Sequence, residues 1–274
     1  MITAQTLVKN EDRFLWYAVM SVAQHVDMIL LWDTGSTDDT LKIAEEIKKV
    51  LGNKVDFQKF IAKTPEDIST LRQKMLDKTD ADWFLVVDGD EVWWEDSIKS
   101  VVETIKRDGI MLDYLVSPYY TLVGDIYHYQ EEQAGRYKIH DWQGHINIRA
   151  INRRIPGLHV KGTYPLEGYY DKEEVIIQEG VKTRAKFIDD KYLHLTHLVR
   201  SSGGKENNVI GQSRKLKHEL GREFPRDFYY PEVFFRQRPD IVPSIWEKMS
   251  AGFLAKSLIE TPLKKFKRRI LQGK

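Results

Sequence analysis

Residues 83–94, WFLVVDGDEVWW, restrict what this chain can fold into more than any other stretch. Trp83, Phe84, Leu85, Val86 and Val87 form an apolar run without alternation, as expected of a strand covered on both faces in a parallel sheet. Such a strand then opens directly into Asp88, Gly89, Asp90 and Glu91. Three carboxylates this close repel one another unless a cation or hydrogen-bond donors lie among them. Gly89 removes a side chain where backbone and ligand approach closely. Oxygen ligands at the carboxyl end of a buried strand suit Mg²⁺ or Mn²⁺ bridging phosphates. The competing reading is an acidic turn that merely closes a core strand.

The residues before this stretch repeat one pattern. ITAQTLV at 2–8 reads as a first strand ending in Lys9-Asn10-Glu11-Asp12, and from Glu11 to Val26 apolar residues recur at helical spacing. MILLW at 28–32 is a second buried strand, and it runs into Asp33-Thr34-Gly35-Ser36-Thr37, where Ser36 or Thr37 can cap a helix reaching Val50. Residues 55–61 predict a third strand, and Thr64-Pro65-Glu66-Asp67 a helix start with Pro at its first position. The alternation predicts an α/β fold, a doubly wound and largely parallel sheet whose carboxyl edge is the ligand edge.

Beyond residue 95 the pattern loosens. A helix over 96–107 and a strand over 112–122 are expected, followed by a long Tyr-, His- and acid-rich loop over 123–145. Residues 145–151 alternate and predict a strand carrying Arg149. YLHLTHL at 192–198 predicts another, with His194 and His197 on opposite faces. The chain should turn helical at Ser213, be interrupted by Pro225, Pro231, Pro239 and Pro243, and end in a helix over 244–272. The expected organisation is a nucleotide-binding part (1–122), an acceptor-binding and catalytic part of the same domain (123–212) and a helical extension (213–274).

Charge and cysteine content narrow the partners. Lys+Arg 42 against Asp+Glu 41 leaves a net charge of +1, so no global field draws nucleic acid, and none is expected to bind. With no cysteine, thiolate metal sites and disulfides are excluded and a cytoplasmic location is expected. The N-terminal residues lack the pattern of a signal peptide, and no window matches a membrane span. Lys264, Lys265, Lys267, Arg268 and Arg269, interleaved with Leu263, Phe266 and Ile270, raise the expectation of a helix lying peripherally on the cytoplasmic face of an anionic membrane.

Three stretches together resemble the family 2 glycosyltransferases: Thr6-Leu7-Val8-Lys9-Asn10-Glu11, then Leu31-Trp32-Asp33-Thr34-Gly35-Ser36-Thr37-Asp38-Asp39-Thr40, then Val87-Asp88-Gly89-Asp90-Glu91. The resemblance implies a GT-A fold, a UDP- or GDP-linked sugar donor, Mn²⁺ or Mg²⁺ as cofactor, and transfer with inversion to a glycan, lipid-linked or protein acceptor. It implies that Asp33 hydrogen-bonds the nucleobase beside Gly35 and Ser36, that residues 7–11 (Leu7, Lys9, Asn10, Glu11) line base and ribose, and that Asp88, Gly89 and Asp90 form a DxD motif holding ribose and metal. Some members complete the metal site with a histidine, for which His194 and His197 are the candidates.

Downstream, residues 145–167 are similar to an Arg-containing strand followed by a His-Glu pair in some members, with Tyr164-Pro165-Leu166-Glu167 standing where that pair falls. An inverting transfer needs a carboxylate within reach of the acceptor hydroxyl. Glu167 is the first candidate and Asp141 the second, with Glu131 and Glu132 behind them. Arg149, Arg153 and Arg200 are candidates for a diphosphate clamp. Trp93, Trp94, Trp142, Tyr119 and Tyr120 are aromatic enough either to stack on sugars or to fill a core. Two rivals remain, a nucleotidyltransferase and a catalytically silent sugar-nucleotide or carbohydrate-binding protein. The first usually carries a glycine-rich, basic loop after its first strand, whereas the loop at 9–12 is acidic and lacks glycine.

Overall fold

The structure, a computed structural model, describes residues 1–135, 137–203 and 217–272. Its first half follows the expected alternation: β1 (Ile2–Val8), α1 (Leu15–Val22), β2 (Met28–Asp33), α2 (Thr40–Leu51), β3 (Val55–Lys59), α3 (Pro65–Lys78), β4 (Trp83–Val86), β5 (Glu91–Trp93) and α4 (Glu95–Asp108). Then come β6 (Tyr114–Val123), β7 (Asp125–Tyr129), the hairpin β8 (Tyr137–Ile139) and β9 (Trp142–Gly144), and β10 (Ile146–Asn152). A second hairpin, β11 (His159–Lys161) and β12 (Gly168–Tyr170), precedes β13 (Ala185–Phe187), β14 (Tyr192–His197), β15 (Arg222–Glu223) and α5 (Ala251–Gln272).

The main sheet has the order β15-β7-β6-β10-β4-β1-β2-β3, with β1, β2, β3 and β4 parallel and β10 antiparallel between β4 and β6. Its apolar strands lack alternation because both faces are covered. Ile29 and Leu31 of β2 enter the core shared with α1, α2 and α4, whereas Leu30 and Trp32 enter the cluster under α3. Likewise Leu85 joins the first core, and Phe84 and Val86 join a third cluster with Ile146 and Ile151 of β10. Helix α3 starts as read, with Thr64 and Asp67 forming a reciprocal capping box and Pro65 in the first turn.

Several elements differ from the sequence reading. Helix α1 begins at Leu15, because residues 11–14 form a turn in which Phe14 and Leu15 donate to the Glu11 carbonyl. Helix α2 begins at Thr40, because the hydroxyls of Ser36 and Thr37 bond to Asp33 and Asn10 instead of capping it. The expected loop over 123–145 contains β7 and the β8–β9 hairpin. Of the helical stretch expected from Ser213, residues up to 216 lie outside the described residues and those from 217 to the break at Pro225 are irregular chain and β15, while the last helix begins at Ala251 instead of 244. Trp93 stacks on Tyr192 with centroids 4.5 Å apart and both are buried, so it is a core residue and offers no face to a sugar.

The C-terminal helix corrects the electrostatic part of the membrane expectation. Lys264 bonds to Glu260 and the His218 carbonyl, Lys265 to Glu131, and Arg268 to Glu219, so these cations bind the protein itself. Among the described residues no helix is long and apolar enough to cross a membrane.

Candidate active site

The carboxyl ends of β1, β2 and β4 lie side by side, and their loops are laced together. Thr34 donates from its backbone N–H to the Val8 carbonyl (2.9 Å), the Asn10 N–H donates to Ser36 Oγ (2.9 Å), and the Thr37 N–H donates to Asn10 Oδ1 (2.8 Å). Asn10 adopts φ of 54°, a left-handed conformation that Asn tolerates better than most residues. Glu11 donates its N–H to Thr40 Oγ1 at 2.8 Å. Asp33 shapes its own turn, accepting from the N–H groups of Gly35 (2.8 Å) and Ser36 (3.0 Å) and from the Ser36 hydroxyl. Leu7 packs with the cluster under α3, and Lys9 is half-buried.

The turn after β4 presses against this edge. A Cβ at Gly89 would stand 2.9 Å from Val8 Cγ1 and 3.0 Å from Glu11 Cγ, so glycine is required there by contact. Asp88 remains partly exposed, and its oxygens meet Arg72 Nη2 at 3.3 Å and Arg149 Nη2 at 3.1 Å. Asp90 is buried, with His194 Nε2 3.5 Å and Arg200 Nη2 4.0 Å from its carboxylate. Glu91 is fully buried and bonds to Arg149 and to the Tyr192 hydroxyl (3.1 Å). Burial pushes its carboxyl up to about 7 against the opposing pull of Arg149.

Arg149 is the hub of this cluster, since Nε also donates to Tyr192 Oη at 3.2 Å. Arg200 reaches from beyond β14, pairs with Glu11, and has Nε and Nη1 buried without hydrogen-bond partners. Burial lowers its guanidinium to about 10. The segment carrying it is tied down by Ser201 Oγ to Asp38 (2.6 Å) and by the Ser202 N–H to Asp12 (2.9 Å).

A cleft of about 710 Å³ opens beside the acids, lined among others by Asp88, Tyr119, Arg149, Tyr164, Glu167 and His194. Glu167 is nearly buried; Oε1 accepts from Arg72 Nε at 3.1 Å, while Oε2 is buried without a partner. Tyr169 Oη and His194 Nδ1, from residues lining the same cleft, are also buried without partners. His197 lines it as well, although strict alternation puts the two histidines on opposite faces. The cause is an irregularity: His194 pairs with Thr121 but His197 with Val123, so three residues of β14 oppose two of β6.

Two sequence candidates are corrected. Asp141 lies in the turn between β8 and β9, 70% exposed and paired with Lys182, and it does not line the cleft. Arg153 follows β10 at the opposite edge of the sheet, where Nε donates to the Leu76 carbonyl at 3.3 Å. Four residues of strand carry it about 13 Å from Arg149, so it cannot share a ligand there. Glu131 and Glu132 are held at the surface by Lys265 (2.9 Å) and Lys191 (2.7 Å), which lower both carboxyls. A larger cleft of about 850 Å³ lies at the amino edge, but its charges include the satisfied pairs Arg154–Asp82 and Arg184–Asp113, and none of the sequence candidates line it. Arg72 and Tyr192 belong to the acid cluster although no motif marks them.

Among the described residues no three His, Asp or Glu side chains converge as a ready cation site. The donor types around Asp88, Asp90 and His194 nevertheless suit a hard divalent ion.

The sequence model of the family described as glycosyl transferase family 2 matches residues 6–162. No curated protein matches significantly. Among solved structures, S. aureus TarS 1-349 is similar at 14% identity and TM-score 0.47, over 71% of this chain and 60% of that one. Glucosyl-3-phosphoglycerate synthase from Mycobacterium tuberculosis, in complex with Mn²⁺, UDP and glucosyl-3-phosphoglycerate, is similar at 17% identity and TM-score 0.32, over 45% of each chain.

Proposed function

The chain belongs to glycosyl transferase family 2, and from that premise we propose that it moves a sugar from a UDP- or GDP-linked donor to a hydroxyl of a glycan, lipid-linked or protein acceptor. One observation carries this reading: the loops after β1, β2 and β4 meet at one sheet edge, beside a cleft whose wall holds a carboxylate with an unpartnered oxygen. The nucleoside belongs against Asp33 and the Leu7, Lys9, Asn10 and Glu11 segment, with Gly35 and Ser36 forming the turn beneath it. The diphosphate belongs between Asp88-Gly89-Asp90 and the guanidinium groups of Arg149 and Arg200. Arg200 favours that placement, because anionic oxygens would satisfy its buried Nε and Nη1 groups, each costing about 1–3 kcal/mol while unmet.

Mn²⁺ or Mg²⁺ would be held by Asp88 and Asp90 with His194, and with His197 from the same strand. Bound there, the ion supplies a Lewis acid for the negative charge of the departing diphosphate. The proton is handled by the protein. Glu167 takes it through Oε2 from the acceptor hydroxyl as the hydroxyl oxygen attacks the anomeric carbon opposite the diphosphate, which leaves with the bonding pair, so the carbon is inverted. Tyr164, Tyr169 and Tyr119 wall the cleft and exclude water around the sugar.

The reading is tested with a panel of nucleotide sugars and their nucleotides, with and without Mn²⁺, monitored by thermal unfolding and by donor hydrolysis. A nucleotide at 100 times its dissociation constant should add about 2.7 kcal/mol of stability. The expected outcome is a shift confined to one nucleotide and increased by Mn²⁺, with slow hydrolysis of the corresponding sugar donor. No shift with any nucleotide overturns the donor assignment.

A further inference from the structure

We propose that Arg72 is the positioning residue of the proton acceptor: helix α3 fixes it so that it clamps one oxygen of Glu167 and leaves the other for the acceptor. This rests on the reading of Glu167 as the base. Both side chains are nearly buried, at 13% and 10% exposure, and Arg72 Nε meets Glu167 Oε1 at 3.1 Å. Burying a carboxylate is costly unless a cation accompanies it. The guanidinium does not give up its proton, and its planar fork holds a carboxylate by direction as well as charge. Burial disfavours its charge, but Asp88, Tyr169 and Glu167 together raise its pKa above the ordinary value.

The clamp is itself held from both sides. Arg72 Nη2 bonds to Asp88 Oδ1 at 3.3 Å, and the other Asp88 oxygen meets Arg149 at 3.1 Å, so Arg72 cannot swing away with a moving glutamate. The adjacent helix residue grips the same hairpin, since Gln73 Oε1 accepts from the Val160 N–H of β11 at 2.7 Å. Glu167 directly precedes β12, where a Cβ on Gly168 would stand 2.7 Å from Ile176 Cδ1, so that strand lies close against its neighbours. Two consecutive residues of α3 thus fix the strand pair and the carboxylate it carries. A base held in one direction reacts far faster than one free to rotate, because the orientation is already in place. The same guanidinium touches Asp88, and so links the base to the donor side of the site.

The test uses the full chain, the nucleotide sugar giving the largest thermal shift, and two nucleophiles. Water needs a base to remove its proton. Azide needs none: its terminal nitrogen bonds the anomeric carbon, the bond to the diphosphate breaks, and the nucleoside diphosphate leaves with the electron pair. Arg72→Ala and Glu167→Gln should each slow hydrolysis, by roughly tenfold or more and by about 100-fold or more respectively. The double variant should be no slower than Glu167→Gln alone, and the reaction with azide should be slowed far less than hydrolysis in all three. Arg72→Lys, which keeps the charge but loses the fork, should fall between native and Arg72→Ala. Additive losses in the double variant, or an azide reaction slowed as much as hydrolysis by Arg72→Ala, would show that Arg72 acts on the donor and overturn the proposal. If Glu167→Gln hydrolyses donor normally while Arg72→Ala does not, the positioning role is overturned and the assignment of the base fails with it. Thermal shifts with the free nucleotide are a separate readout, which loss of the donor site would abolish.

Discussion

The nucleotide edge and the cleft wall are built on opposite principles. At the edge, Asp33 is held by the N–H groups of Gly35 and Ser36, two and three residues away, and each polar side chain sits within a few residues of the strand that delivers it. In the wall, Arg72 meets Glu167 across 95 residues, Arg149 meets Asp88 across 61, and Tyr192 meets Glu91 across 101. The edge is set by turns beside their own strands and by bonds between the first two loops, 26 to 29 residues apart, whereas the wall exists only after β10, β12 and β14 have docked. The difference teaches that donor recognition and proton transfer depend on separable parts of the chain and should respond separately to mutation.

The sharpest separation is expected at Glu167. Glu167→Gln should lower transfer by roughly 10²–10⁴-fold while nucleotide binding, read from thermal shifts, stays within twofold; a parallel loss of both would merge the two regions. The converse is Gly89→Ala, whose methyl would meet Val8 and Glu11. Overpacking there should cost about 1–3 kcal/mol by chemical denaturation and weaken nucleotide binding.

Glu91 lies where the two regions meet and gives a pH signature. Its carboxyl stands at about 7 in the fold against an ordinary 4.5, so the folded state binds that proton more tightly than the unfolded chain. The resulting stability is fully present below about 4.5 and is lost as pH rises through about 7. Unfolding free energy should therefore decline across this window by on the order of 1–3 kcal/mol, and Glu91→Gln should flatten the decline. An equal slope in that variant would assign the titration to another group. The smallest effect is expected at Asp141, exposed and paired with Lys182. Asp141→Asn should leave the unfolding midpoint unchanged and transfer at the native rate. A large loss would place the β8–β9 turn in the wall after all.

Legibility followed the same division. The strands 2–8, 28–33 and 83–86 could be read because a both-sides-buried strand needs an unbroken apolar run, and their carboxyl ends could be found because ligands of open α/β sheets bind there. The wall carried weaker signals. Arg72 sits mid-helix in LRQKM with nothing in its surroundings to separate it from a solvated arginine. Arg153 looked equivalent to Arg149 because spacing along a strand says nothing of which edge it runs toward. The two histidines were divided by alternation until an extra residue in β14 brought both to the cleft. The cations of α5 suggested a lipid surface, and only packing showed Lys265 and Arg268 meeting Glu131 and Glu219.

By itself the sequence determined the covered parallel sheet, the edge where its strands end, and the acids delivered to that edge, because hydrophobic period and turn chemistry act over a few residues. Tertiary structure alone decided which cation meets which acid, which face of β14 looks inward, and which glutamate keeps an oxygen free. Those outcomes depend on how strands far apart in the chain come to lie together, and no local pattern encodes that distance.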